Sequence, residues 1–185
     1  MGLSGKQSSG ERTPYFIKEA IVMAVDVEYN KPNNEGETKD VDCVVTMQMD
    51  KKDGGTFESK LFLSGNYKKD TRGDISGWGR VFLVKNLINA CGIDDFETDE
   101  NGVIPVRVWQ KIIEDKPKVL VLSYVTKQGE KGLEYRKYGI VDKDRKKLEE
   151  RFLKEAASDY GVYEYHPELI DGGKAAPTSN DEVPF

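Results

Sequence analysis

Hydrophobic and polar residues alternate along the early part of the chain, and the period lengthens to that of a helix only near residue 80. Ile17, Glu19, Ile21, Met23, Val25, Val27 and Tyr29 share one parity. Lys18, Ala20, Val22, Ala24, Asp26 and Glu28 share the other. This predicts a long, half-buried strand from Phe16 to Tyr29, with Glu19 as the one misfit on its apolar side. The run from Asn30 to Glu37 holds Pro32 and Gly36 and reads as a loop. Val41, Cys43, Val45, Met47 and Met49 then face one way, against Asp42, Val44, Thr46, Gln48 and Asp50. Lys51-Lys52-Asp53-Gly54-Gly55 supplies a hairpin turn. Thr56 to Leu63 returns with Phe57, Leu61 and Leu63 toward the core and Glu58, Lys60 and Phe62 opposite. Three such strands in a row make a meander.

The segment from Ser64 to Asp74 is polar, basic and glycine-bearing. Gly77-Trp78-Gly79 leads into a helix over Arg80 to Cys91, where Val81, Val84, Leu87, Ile88 and Cys91 fall at helical spacing and Gly92 is the stop. Val103 to Ile113 is ambiguous. Ile104, Val106 and Val108 alternate, yet Pro105 bars a central strand position. Val119 to Thr126 is apolar on both parities and reads as a central strand. Gln128 to Gly132 turns the chain, and Leu133 to Val141 returns as another strand. Asp144 to Ser158 is a charged helix with Leu148, Phe152 and Ala156 as a narrow apolar stripe. Tyr160, Tyr163 and Tyr165 close the ordered part.

The fold class expected is mainly β with helices. It is an OB-fold-like, five-stranded antiparallel barrel with a helix after the third strand and an appended C-terminal helix. A different mixed α+β sheet is the alternative. Residues 1–14 read as a flexible arm, 15–168 as one domain, and 169–185 as a linker and tail. A length of 185 residues suits that arrangement and allows a real core.

The formal net charge of −5 does not advertise a polyanion as partner, but a net charge is an average, and a basic groove coexists readily with acidic loops. Acids concentrate in Asp94, Asp95, Glu97, Asp99 and Glu100, and again at the C-terminus. No apolar run approaches the ~20 residues of a membrane span, and residues 1–10 lack a signal-peptide apolar region, so the chain reads as cytoplasmic. Cys43, Cys91 and His166 are the only thiols and the only histidine. Both cysteines sit on apolar patterns and read as small buried hydrophobes, and no metal site or cofactor is expected.

The run from Asp171 to Ser179 is too polar to fold by itself, yet Asn180 is followed by Asp181, Glu182, Val183, Pro184 and Phe185. Two acids, a stiff proline and an aromatic suit a partner's pocket, with the ring in an apolar hole and Arg or Lys at its rim. This ending resembles the acidic C-terminal tips of bacterial and phage single-stranded DNA-binding proteins. The segment from Val84 to Ile93, then Lys118 to Leu122 and a Tyr-rich returning strand, is similar to a group of phage OB-fold replication proteins. The resemblance implies a protein that coats single-stranded DNA in phage replication, recombination or repair, in the host cytoplasm. Its tail would recruit other replication proteins, and the body could form a homo-oligomer.

Binding single strands requires cations that track phosphate and flat side chains on which bases stack. Three places carry both. Lys60 and Phe62 lie on the polar parity of the third strand, followed by Tyr67, Lys68, Lys69 and Arg72. Trp78 stands between glycines beside Arg80. Tyr124, Lys127, Lys131, Tyr135, Arg136, Lys137 and Tyr138 decorate the last hairpin. Each has a plainer reading: Phe62 packs beneath the helix, Trp78 anchors the helix entry, one of Tyr135 and Tyr138 is core, and the lysines are solvated surface. Two other classes of function stay open. One is an adaptor that acts through its tail without binding DNA. The other is a nuclease holding Mg²⁺ on the acidic loop.

Overall fold

The alternation from Phe16 to Tyr29 folds as one 20-residue strand, β1 (Thr13–Pro32), but the strand does not keep one parity inward along its length. The structure, a computed structural model, describes residues 13–32, 35–51, 54–127, 133–156 and 163–165. Val22 pairs with Met47 and Ala24 pairs with Thr46, so Met23 is an extra residue on β1, a β-bulge. One inserted residue exchanges the two faces, because side chains alternate with period two. Ala20 and Val22 are buried before the bulge. Val25 is buried after it, with Val27 and Tyr29 packed against the same core. Glu19 is therefore no misfit: upstream of Met23 its parity faces outward, and it is exposed. The single-parity reading is corrected accordingly, since Ile17 and Val25 serve different faces of the sheet.

β2 (Thr38–Asp50) and β3 (Thr56–Gly65) complete the expected meander. β1 pairs with β2 from Ile21 to Pro32, and with β6 (Lys118–Lys127) from Tyr15 to Ile21. β7 (Leu133–Asp142) returns against β6. The strand order is β3-β2-β1-β6-β7, antiparallel throughout, and this sheet curls into a half-barrel. Its end strands β3 and β7 approach each other, but no ladder joins them among the described residues. The concave side holds the core, with Val41, Cys43, Val45, Met47, Leu61 and Leu63 buried. Three short strands were not foreseen. β4 (Lys68–Lys69) and β5 (Ile75–Gly77) form a small ribbon in the segment expected to be a loop, and β8 (Tyr163–Tyr165) adds in parallel to Thr13–Tyr15 of β1.

α1 (Phe82–Ala90), entered through a 3₁₀ turn at Gly79–Val81, closes over the core with Val81, Val84, Leu87 and Ile88. Gly92 ends it at φ +85°, as its position after the apolar stripe requires. The ambiguous segment is a helix, α2 (Val106–Asp115), with Pro105 immediately before its first turn. Val108, Trp109 and Ile112 are buried at helical spacing while Val106 is 67% exposed, so the alternation there is coincidental.

α3 (Arg145–Ala156) starts where the Asp144 carboxylate accepts the Lys147 amide at 3.2 Å. It lays Leu148 and Phe152 on Tyr15, Ile17 and Leu122, a second apolar cluster on the convex side of β1 and β6. β6 is covered on both sides, by the core through Val119 and Val121 and by α3 through Leu122. This is why both of its parities are apolar.

Candidate nucleic-acid interface

β3 carries the most exposed aromatic ring among the described residues. Core packing fixes its odd positions from Phe57 to Leu63 inward, so Lys60 and Phe62 stand on the convex face. Phe62 is 57% exposed, which removes the reading in which it packs beneath the helix. It lies opposite Val44 of β2, and Lys60 lies opposite Thr46, two residue pairs along and on the same face. This outer face is not basic. Asp26, Glu28, Asp42 and Glu58 share it, and Lys31 answers two of them, at 3.0 Å from Glu28 and 3.6 Å from Asp42.

Cations instead gather where β3 runs on into the β4–β5 ribbon. The ribbon base is clamped to β2. The Asp40 amide donates to Asn66 Oδ1 at 2.9 Å, and the Tyr67 amide donates back to Asp40 Oδ2 at 2.9 Å. Arg80 N–H donates to the Asn66 carbonyl at 3.0 Å. Gly79 permits this closeness: it sits at φ +49°, and a Cβ there would lie 2.4 Å from the Asn66 carbonyl oxygen. Lys68, Arg72 and Arg80 are exposed around this base. Lys69 is not free in the same way, since its Nζ lies 2.8 Å from Asp40 Oδ1.

Tyr67 is corrected as a stacking candidate. It is 7% exposed, and its hydroxyl donates to the Gly102 carbonyl at 2.7 Å, so it offers no face to a base. Burial also pushes its phenol well above the ordinary tyrosine range. Trp78 is half-buried between Tyr67 and Phe96, at centroid distances of 5.8 and 5.7 Å, and the Lys85 ammonium sits 4.9 Å from the indole centroid. The helix-entry role therefore describes Trp78.

Three participants were missed in the sequence. Lys85 falls two helical turns beyond Trp78, a spacing that was available to read. Asp40 gave no signal, because its partners lie 26 or more residues away. Lys18, whose Nζ lies 5.1 Å from the Phe57 ring centroid, reaches β3 only because the bulge turns its parity inward.

Of the last hairpin the structure describes the backbone register, with Ser123 opposite Lys137, Tyr124 opposite Arg136, Val125 opposite Tyr135 and Lys127 opposite Leu133. The side chains of Tyr124, Lys127, Tyr135, Arg136, Lys137 and Tyr138 lie outside the described part, as do Lys131, His166 and the tail residues Asp181, Glu182, Val183, Pro184 and Phe185. In the acidic loop, Asp99 Oδ1 accepts the amides of Asn101 and Val103, each at 2.9 Å, and so shapes a turn. Among the described residues, no three His, Cys, Asp or Glu side chains come together to hold a metal, and no helix is long and apolar enough to cross a membrane. Cys43 is buried and Cys91 half-buried, and burial pushes both thiols up to about 12.

No family model, curated protein or solved structure matches this chain.

Proposed function

We propose that this chain binds single-stranded DNA without sequence preference through an OB-type body. The order β3-β2-β1-β6-β7, with α1 after the third long strand, has the neighbour relations of a partly open OB barrel, lacking only a ladder between β3 and β7. Oligonucleotide-binding barrels of this type use the face of their second and third strands. The observation that carries the reading is Phe62, an uncovered ring on that face with Lys60 beside it. A stacked base would sit on Phe62, and its neighbours' phosphates would run toward Lys68, Arg72 and Arg80. The acids Asp26, Glu28 and Asp42 flank that path on the β2 side, at the rungs of Phe62 and Ser64. The protein coats exposed strands in phage DNA replication, recombination or repair, and the acidic Pro-Phe segment at 181–185 recruits other replication proteins.

Titration of oligo-dT with the full chain tests this. A complex whose affinity falls steeply with salt supports it, and a flat salt response removes the phosphate track. A second reading, a tail-borne adaptor that binds no DNA, is favoured by the carboxylates Asp26, Glu28, Asp42 and Glu58 on the outer face. That reading requires no oligo-dT complex at any salt concentration.

A further inference from the structure

The clamp at the ribbon base does more than hold the ribbon. Asp40 reaches into it. Its side chain is 14% exposed, and both of its oxygens are used, Oδ2 by the Tyr67 amide at 2.9 Å and Oδ1 by the Lys69 ammonium at 2.8 Å. Lys69 is adjacent in sequence to Lys68 and lies on the same two-residue strand, yet no ion pair holds Lys68 among the described residues. We infer that Asp40 is a positioning and restraining residue of the single-strand site: it fixes the ribbon through the Tyr67 amide and withholds Lys69 from phosphate.

Asp40 and a phosphate compete for Lys69. A carboxylate so little exposed needs its cation, because losing it leaves a desolvated charge held by one amide. A phosphate that recruited Lys69 would have to break a 2.8 Å pair and then sit against the uncompensated Asp40 charge. Lys68, Arg72 and Arg80 meet no such opposition from Asp40, so the ribbon presents one cation fewer than its sequence suggests. Asp40 therefore sets how many phosphates the ribbon engages, and with it the salt sensitivity of binding.

This rests on the single-strand reading above, and the test separates the two. Oligo-dT is titrated over a salt series against wild type, Lys69→Gln, Asp40→Asn and the double variant. Asparagine keeps an acceptor for the Tyr67 amide and removes the charge. With Lys69 withheld, Lys69→Gln leaves the slope of log affinity against log salt unchanged. Asp40→Asn releases Lys69 and steepens the slope by about 0.7, the value of one more phosphate contact on a single strand. A fourfold rise in salt then costs Asp40→Asn about 2.6 times more affinity than it costs wild type. The double variant returns to the wild-type slope. A shallower slope for Lys69→Gln alone, or an unchanged slope for Asp40→Asn in a protein that melts like wild type, overturns the inference while leaving the single-strand reading intact. Absence of any wild-type complex overturns both.

Discussion

The backbone amide of Val22 donates to the carbonyl of Pro117 at 3.0 Å, at the point where β1 stops pairing with β6 and starts pairing with β2. The bulge at Met23 begins at the same place, so one strand serves two neighbours and two cores. Ala20 and Val22 point into the half-barrel, and after the extra residue Val25 takes over.

Deleting Met23 should therefore be far worse than replacing it. Removing the extra residue slips the register, so that either Ala20 and Val22 or Val25, Val27 and Tyr29 face solvent. Deletion is expected to leave no cooperative thermal transition, whereas Met23→Ala, which keeps the bulge, retains one. A deletion variant that melted like the parent would contradict the two-faced account of β1.

Gly79→Ala tests the ribbon clamp. A Cβ at φ +49° within 2.4 Å of the Asn66 carbonyl oxygen must push the turn away from Asn66. A loss of about 1–3 kcal/mol is expected from denaturant unfolding. Tyr67→Phe, which gives up only the hydroxyl donated to Gly102, should lose about 0.5–1.5 kcal/mol. Equal stability of the Gly79 variant and wild type would contradict the close approach.

Alkali should loosen the fold in two stages. Burial pushes Cys43 and Cys91 up to about 12, and burial together with Glu149 pushes Tyr15 to about 12. In the unfolded chain the thiols ionise near pH 8.5 and the phenol near pH 10. Below those values both states hold their protons and nothing is lost. Above them the unfolded chain releases protons that the folded chain retains, so stability falls until the folded groups titrate as well. The melting temperature is expected to decline from about pH 9 and more steeply above pH 10. Tyr15→Phe should remove part of the steeper fall. A melting temperature flat from pH 9 to 11 would contradict the burial of these groups.

The long strands and two of the helices were legible because burial on one side imposes a period. Val41 to Met49 and Val81 to Cys91 show it plainly. Leu122 beside Val121 also announced a strand covered on both sides. Two features were not legible. The bulge at Met23 leaves the alternation of residue types unbroken, with Glu19 as its only trace. α2 hid because Val106 is exposed and happens to extend an alternation, although Val108, Trp109 and Ile112 carried the helical spacing.

The candidate site divides in the same way. Strand parity set Phe62 opposite the core, but whether the helix covered it stayed open until its exposure decided it. Tyr67 was misread because a ring in a polar segment shows nothing of the Gly102 carbonyl 35 residues away that buries its hydroxyl.

The outward ring on β3 is tested most directly by oligo-dT affinity of Phe62→Ala against wild type, measured by fluorescence anisotropy at one salt concentration, with thermal melts of both. Phe62 is mostly solvated, so the melts should coincide, while the loss of a stacking platform should weaken binding by about 1–3 kcal/mol. Equal affinity of the two proteins would contradict the account.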